Sequence, residues 1–301
     1  MPDGTIMKAL SGYYYVLDAD NGRTVQCRAR GIFKKRGQSP LVGDRVRYME
    51  TENGEGAVEE IRPRRSALIR PPVANADLAV LVFSVAHPDL NLALLDKFLV
   101  HIEHADMDVL LVLTKTDRIP AGAEGEKARS VVAGARRLYE SIGYEVVLTS
   151  ARKQAGIAEL KERLAGHLSI FAGQSGVGKS SLLNALAPGL ALQTGDISEK
   201  LGRGKHTTRH VELIPLDNGA IVADTPGFSQ LDFAELGIVE LGNCFREFRA
   251  LSAGCKFRGC THIHEPACAI REAVEQGAVA AGRYAHYTAF MMEWNEKPRR
   301  Y

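Results

Sequence analysis

The stretch Gly173-Gln174-Ser175-Gly176-Val177-Gly178-Lys179-Ser180 has the spacing G-x-x-x-x-G-K-S of a phosphate-binding loop. Its chemistry is electrostatic. Glycines let the backbone curl until several N–H groups point at the same phosphate oxygens, and the start of a following helix adds partial positive charge there. Lys179 would then bridge the β- and γ-phosphates as a catalytic cation, and the Ser180 hydroxyl would ligate Mg²⁺. Positions 173–181, ending on Ser181, form the predicted phosphate contact. Such a motif carries weight only between a strand and a helix. The apolar run Leu168–Ala172 reads as a buried strand, and Ser181-Leu182-Leu183-Asn184-Ala185-Leu186 reads as the first turns of a helix. The plain alternative is a glycine-rich turn before a helix. All the fixed positions match in the right context, which weighs against it.

A second group of residues could hold a metal. Cys255, Cys260, His262 and Cys268 fall within a short span and make a Cys₃His set. Three thiolates and an imidazole suit one tetrahedral structural Zn²⁺, and four protein ligands leave no open position for catalysis. His264 is a spare histidine that could substitute for His262. Reduced buried thiols are the competing reading. The remaining cysteines, Cys27 and Cys244, stand apart, and the N-terminus lacks a basic-then-apolar leader. Both features argue against a disulfide framework and for a cytoplasmic protein. No apolar run approaches the length of a membrane span. With 301 residues and a formal charge of +2, the chain has room for two or three domains, and its charge points to no partner.

The elements that must position these groups change character along the chain. Residues 1–66 read as short strands. Tyr13-Tyr14-Tyr15-Val16-Leu17 and Thr24-Val25-Gln26-Cys27-Arg28-Ala29 flank the turn Asp20-Asn21-Gly22, a hairpin signal. Two more strands follow around Val46 and Val58. Short strands, glycine turns and no helical period suggest a small barrel like the oligonucleotide-binding (OB) fold. Arg28, Arg30, Lys34, Lys35, Arg36, Arg45, Arg47, Arg62, Arg64 and Arg65 cluster here among tyrosines, which suits contact with single-stranded RNA. A solvated barrel surface over a tyrosine core fits the same residues.

Residues 67–230 alternate apolar runs with helical periods. Strands are predicted at 78–83, 109–113, 145–148 and 219–223, with helices at 90–104, 125–142 and 157–167 between them. This is the pattern of a parallel sheet covered on both faces, whose ligands bind at the carboxyl ends of the strands. Residues 231–301 read as a third, helical part around the cysteines, with helices at 239–251 and 271–294.

Two strand ends carry further chemistry. Thr114-Lys115-Thr116-Asp117 resembles the guanine-reading N-K-x-D motif of GTPases, with threonine in place of asparagine. A carboxylate at Asp117 accepts bonds from the guanine N1–H and 2-amino group, a donor pair adenine lacks. Thr149-Ser150-Ala151 resembles the loop whose backbone N–H contacts guanine O6, with Ser150 and Ala151 as its candidates. Small polar residues end many strands, so that motif gains weight only from its place after the first. Gly202 to Arg209 resembles a switch-one loop, where Thr208, or alternatively Thr207, would coordinate Mg²⁺. Asp224-Thr225-Pro226-Gly227 has the D-x-x-G form of switch two, with Asp224 holding Mg²⁺ through water and Gly227 offering its N–H to the γ-phosphate.

The order of these motifs is diagnostic. Ordinary GTPases run phosphate loop, switches, then base-reading motifs; here the base-reading motifs come first. Joining the old ends and cutting elsewhere keeps every motif at a strand end. With a barrel before it and a cysteine cluster behind it, the chain resembles the RsgA family of circularly permuted, ribosome small subunit-dependent GTPases. The resemblance implies an OB-like barrel, a permuted α/β P-loop GTPase and a helical zinc-binding domain, with Zn²⁺ on Cys255, Cys260, His262 and Cys268. It implies hydrolysis of GTP to GDP and phosphate, stimulated by the 30S subunit late in its maturation, with 16S rRNA as a contact and a monomer as the working form. Many GTPases place a glutamine after D-x-x-G to orient the attacking water; Phe228 stands here, so intrinsic turnover should be slow. His206 is the candidate within the chain for that task, against the plain reading of an exposed loop histidine. The alternative function is a GTP-regulated RNA-binding switch with a non-ribosomal RNA partner.

Overall fold

The computed structural model describes residues 1–35, 37–51, 54–68, 72–189, 211–224 and 238–296. In chain order their elements are β1 (Asp3–Leu10), β2 (Tyr13–Asp18), β3 (Thr24–Ala29), α1 (Gly31–Lys35), β4 (Arg45–Glu50), β5 (Gly56–Ile61), β6 (Ala67–Leu68), β7 (Val73–Ala74), β8 (Leu78–Ser84), α2 (Leu92–His104), β9 (Asp108–Thr114), α3 (Gly122–Ser141), β10 (Glu145–Leu148), α4 (Ile157–Leu164), β11 (Leu168–Ala172), α5 (Lys179–Leu186), β12 (Glu212–Pro215), β13 (Ile221–Asp224), α6 (Ile238–Asn243), α7 (Arg246–Leu251), α8 (Ala269–Glu275) and α9 (Ala281–Glu296). None of the described helices is long and apolar enough to cross a membrane. The chain divides into two compact units, 1–80 with 157–172 and 179–228, and 81–156 with 173–178 and 229–301.

In the first unit the five N-terminal strands pair in the order β1-β2-β3-β5-β4 and close through β4 onto β1. The result is the small barrel expected from the sequence. Its interior follows from strand alternation: Ile6, Val16, Val25, Cys27, Val46, Tyr48 and Val58 all point inward. The predicted hairpin turn is pinned by Asp18, whose carboxylate accepts the N–H groups of Asp20 and Asn21, each at 2.9 Å, and the Tyr48 hydroxyl at 2.5 Å. One helix, α1, interrupts what the sequence presents as strands alone. At 5 residues it is too short to write a helical period. The same unit contains β11 and β13, which run parallel from Leu168↔Ile221. Strand β12 is antiparallel to β13 and also meets β1 at Lys8↔Glu212. The sequence reading has no β12, because 4 residues ending in proline carry almost no pattern.

The second unit has the strand order β10-β9-β8, with β9 and β10 parallel. β8 is buried along its whole length, as its continuous apolar run predicts. Helix α2 starts where the Asn91 side chain accepts the Leu94 N–H at 2.9 Å. The C-terminal helices depart from expectation. Each of the two predicted long helices is a pair of shorter ones. The first breaks at Phe245, whose backbone is extended with φ −98° and ψ 109°. Its ring packs against Phe248 at 5.0 Å and Tyr287 at 5.4 Å between centroids, so core aromatics decide the break. The second ends at Gly277, which adopts φ 75°.

Two carboxylates of α2 tie this C-terminal part down. Asp96 accepts the Tyr139 hydroxyl at 2.7 Å and Arg283 Nη1 at 2.5 Å, and its other oxygen meets His286 Nδ1 at 2.5 Å. Two helical turns on, Glu103 accepts the Tyr144 hydroxyl at 3.0 Å, Arg246 Nε at 2.6 Å and a guanidinium N–H of Arg249. Each acid takes one tyrosine from the α3 side and arginine from the C-terminal side. Burial works against the charge of Arg283, yet its bonds to Glu247 and the charges of Asp96 and Glu247 keep its pKa above the usual arginine value.

Candidate functional site

β9 ends on Thr114, Lys115 follows in the left-handed region at φ 62°, and Thr116 to Arg118 form a single 3-10 turn. This turn lifts Asp117 to the end of the sheet, where its Oδ1 accepts the Ser150 hydroxyl at 2.5 Å. That bond is the main reason the Asp117 carboxyl lies below its ordinary pKa, with Arg152 and Arg118 adding to it. The Thr116 N–H and hydroxyl both reach the Thr149 carbonyl at 3.2 Å. Ser150 pairs with Ala155 across a tight loop, and the Gln154 amide donates to the Ala151 carbonyl at 2.7 Å. The turn at Thr114 to Asp117 and the Thr149-Ser150-Ala151 loop are therefore one hydrogen-bonded assembly.

Residues 173–178 belong to the same unit and are held against this assembly. The Thr114 hydroxyl lies 2.5 Å from the Val177 carbonyl oxygen and 3.2 Å from that of Phe83. The Lys115 ammonium donates to the Gly176 carbonyl at 2.5 Å and to the His87 carbonyl. Val177 is buried, while Ser175 and Gly176 are exposed. Gly173, at φ 149°, passes so close to β8 that a Cβ would stand 2.2 Å from the Val82 carbonyl oxygen. Gly178 has φ 101°, a conformation side chains rarely adopt. Lys179, Ser180 and Ser181 form the first turn of α5 in the first unit. Asp224 ends β13. Thr207, Thr208, His206, Gly227 and Phe228 lie outside the described residues. Of the residues predicted to ligate magnesium directly, Ser180 is thus described and Thr208 is not, while Asp224, predicted to act through water, has its backbone described at the end of β13. The contacts of Thr114 and Lys115 to loop carbonyls are not written in either motif. They join residues more than 60 positions apart, and spacing within a motif says nothing of such pairs.

The four metal candidates do come together. Cys255, Cys260 and Cys268 Sγ and a His262 ring nitrogen all lie within 4.8 Å of one another. His262 Nδ1 is 3.4 Å from Cys268 Sγ and 3.6 Å from Cys255 Sγ, and the latter two sulfurs are 3.9 Å apart. A tetrahedron with bonds of about 2.3 Å has edges of about 3.8 Å, so these separations fit zinc. Burial lowers the pKa of His262, which leaves its ring nitrogen free as a ligand, and pushes the Cys260 thiol up to about 12. A dication is what would draw the proton from such a thiol. His264 is not in the cluster. Glu265, which sequence reasoning passed over, accepts four hydrogen bonds from this loop.

The basic residues of the barrel are partly answered within it. Arg30 pairs with Glu59 at 2.7 Å, Arg62 with Asp3 at 2.9 Å, and Arg64 with the buried Asp44 at 2.7 Å. Arg47 lies 3.7 Å from Glu60 and 3.9 Å from Asp3. The Arg28 guanidinium lies over the Tyr13 ring, 4.6 Å from its centroid.

Comparison with known proteins gives a consistent result. Residues 61–234 match the model of the RsgA GTPase, and residues 3–58 that of the RsgA N-terminal domain. A protein of Geobacillus kaustophilus named small ribosomal subunit biogenesis GTPase RsgA is 52% identical over 301 residues, with all of both chains covered. One of the same name from Bacillus subtilis is 50% identical over 303 residues, again with both fully covered. Among solved structures, that of YloQ, described as a circularly permuted GTPase, superposes with a TM-score of 0.84 at 45% identity, covering 100% of this chain and 97% of that one. YjeQ from Thermotoga maritima gives 0.87 at 36% identity, with 99% of each covered.

Proposed function

The chain belongs to the RsgA GTPase family, and from that premise we propose that it hydrolyses GTP to GDP and phosphate during late maturation of the small ribosomal subunit. The observation that carries the reading is the joining of base-reading turn to phosphate loop: Thr114 and Lys115 each meet a loop carbonyl, at Val177 and Gly176. One rigid assembly can then hold both ends of a guanine nucleotide. Asp117, oriented by Ser150, accepts from the base edge. Ala151 lies on the loop assigned to guanine O6. The N–H groups of residues 173–178 and the ammonium of Lys179 meet the phosphates, where negative charge grows as the leaving oxygen departs. Mg²⁺ bound with the nucleotide supplies further positive charge there, and Ser180 and Thr208 are the residues assigned to hold it. Zn²⁺ on Cys255, Cys260, His262 and Cys268 would act as a crosslink with no open position. Asp224, Gly227 and His206 keep the roles that their motifs suggest.

The working division is 1–66 barrel, 67–230 GTPase and 231–301 zinc domain. The 30S subunit and its 16S rRNA are the partners, and the protein acts as a cytoplasmic monomer. Phe228 has no group to orient water, so the free protein should turn over slowly and gain activity when it binds the 30S subunit. The test is GTP turnover with and without purified 30S subunits. Marked stimulation supports the reading. No stimulation across a range of salt removes the ribosomal part and favours a different RNA. In the same assay His206→Ala should lower stimulated turnover, by up to about 10²–10⁴-fold, with GTP affinity retained. Asp117→Asn should exchange GTP preference for XTP in competition binding; an unchanged preference for GTP sinks that assignment.

A further inference from the structure

We propose that Glu265 is the positioning residue of the metal loop, fixing the backbone on both sides of His262 so that its ring meets the cysteine sulfurs. The inference rests on the zinc reading above. One carboxylate oxygen accepts the Thr261 N–H at 2.7 Å and the Thr261 hydroxyl at 2.6 Å. The other accepts the N–H groups of Ile263 and His264, each at 3.2 Å. These donors precede and follow His262, so a single side chain gathers the peptide groups around that ligand. The carbonyls are held from the other side: Tyr287 donates to Thr261 O at 2.6 Å and Tyr284 to His262 O at 2.7 Å, both from α9.

The loop has reason to need this. His262 has φ 61° and Ala267 has φ 54°, so a ligand and the residue before another ligand both occupy the left-handed region without being glycine. Such conformations persist only where surrounding bonds over-determine them. An ionised carboxylate has acceptor sites enough for four donors and competes for no proton. A glutamine of the same shape keeps one acceptor oxygen and turns an N–H₂ group toward the remaining donors. Partners behind the ligands of a metal typically change its affinity by about 10–100-fold. Glu265 occupies that place through the backbone.

The experiment uses the full-length protein loaded with zinc or with cobalt. Zinc release to a chromophoric chelator gives a rate, and the cobalt absorption bands report tetrahedral thiolate coordination. For E265A release should be about 10–100-fold faster than for wild type, with E265Q also faster. The cobalt bands of E265Q should shift or weaken at temperatures where its helical circular dichroism matches wild type. A role in bulk stability alone would not move those bands. If E265A does not fold, E265Q decides. Wild-type release rates and unchanged cobalt bands in E265Q overturn the proposal while leaving the zinc site standing. A wild-type protein that takes up neither metal overturns both.

Discussion

The N-terminal barrel and the C-terminal helical part solve the same problem in opposite ways. The barrel satisfies its backbone through closed strand pairing, and many of its ion pairs lie at the surface, such as Arg62 with Asp3 and Glu60. Exposed pairs of this kind add little to stability. The described residues of the C-terminal part include α-helices of 6, 6, 7 and 16 residues, three of them too short to stand alone. It relies on an aromatic core, a loop that gathers three cysteines and a histidine, and charges taken out of water. Arg283 is 2% exposed and Asp96 0%. Where a ladder of backbone bonds is available, most ionic side chains are left at the surface, and the buried Asp18 and Asp44 are exceptions that brace turns. Where the ladder is absent, ionic side chains are drawn inside, and each becomes costly to remove.

The largest effect that would sharpen this contrast is expected from Cys260→Ser. Metal analysis should give about one zinc per chain in wild type and a clear loss in the variant. The C-terminal part should loosen to hydrogen exchange while the barrel amides stay protected. A metal-free wild type with an intact C-terminal fold would remove the role given to zinc. Next is Arg283→Ala, which takes the arginine charge away from the buried Asp96 and the partly buried Glu247. Chemical denaturation should show a loss of about 3–5 kcal/mol. Smaller, and of another kind, is Tyr13→Ala in the barrel. It removes the ring under Arg28 and should leave the melting temperature near wild type. If Tyr13 stacks on an RNA base, 30S binding should weaken by about 1–3 kcal/mol. Unaltered binding would leave the barrel tyrosine without that role. Last, Arg62→Ala should shift the melting temperature by no measurable amount. A loss comparable to that of Arg283→Ala would break the comparison itself.

Much of the site was legible because its chemistry is written in short contiguous motifs. Residues 173–181, 114–117 and 255–268 each carry their spacing within one segment, and local geometry follows from local sequence. The alternating elements from Leu78 onward and the barrel hairpin were legible for the same reason, since periodicity is a local property. The breaks at Phe245 and Gly277 were not. Helical spacing persists across both; at Phe245 the competing term is packing against aromatics of the core, and at Gly277 it is a left-handed glycine stop that the helical reading of 271–294 runs through.

What the sequence by itself determined is the set of reactive groups, the order of the motifs and the fold class that order permits. Tertiary structure alone decided which groups support them. Thr114 reaches Val177 and Lys115 reaches Gly176 only because β9 ends beside the phosphate loop. Nothing in the helical spacing of α2 singles out Asp96 and Glu103, whose partners Arg283, 187 residues from Asp96, and Arg246 come from the far end of the chain. Glu265 lies inside a motif, yet its task depends on a left-handed turn at His262 that no spacing records. The physical reason is common to all three. A hydrogen bond is set by the position and direction of two groups in space, and only the folded chain brings residues distant in sequence, or turned back on themselves, to within about 3 Å of each other.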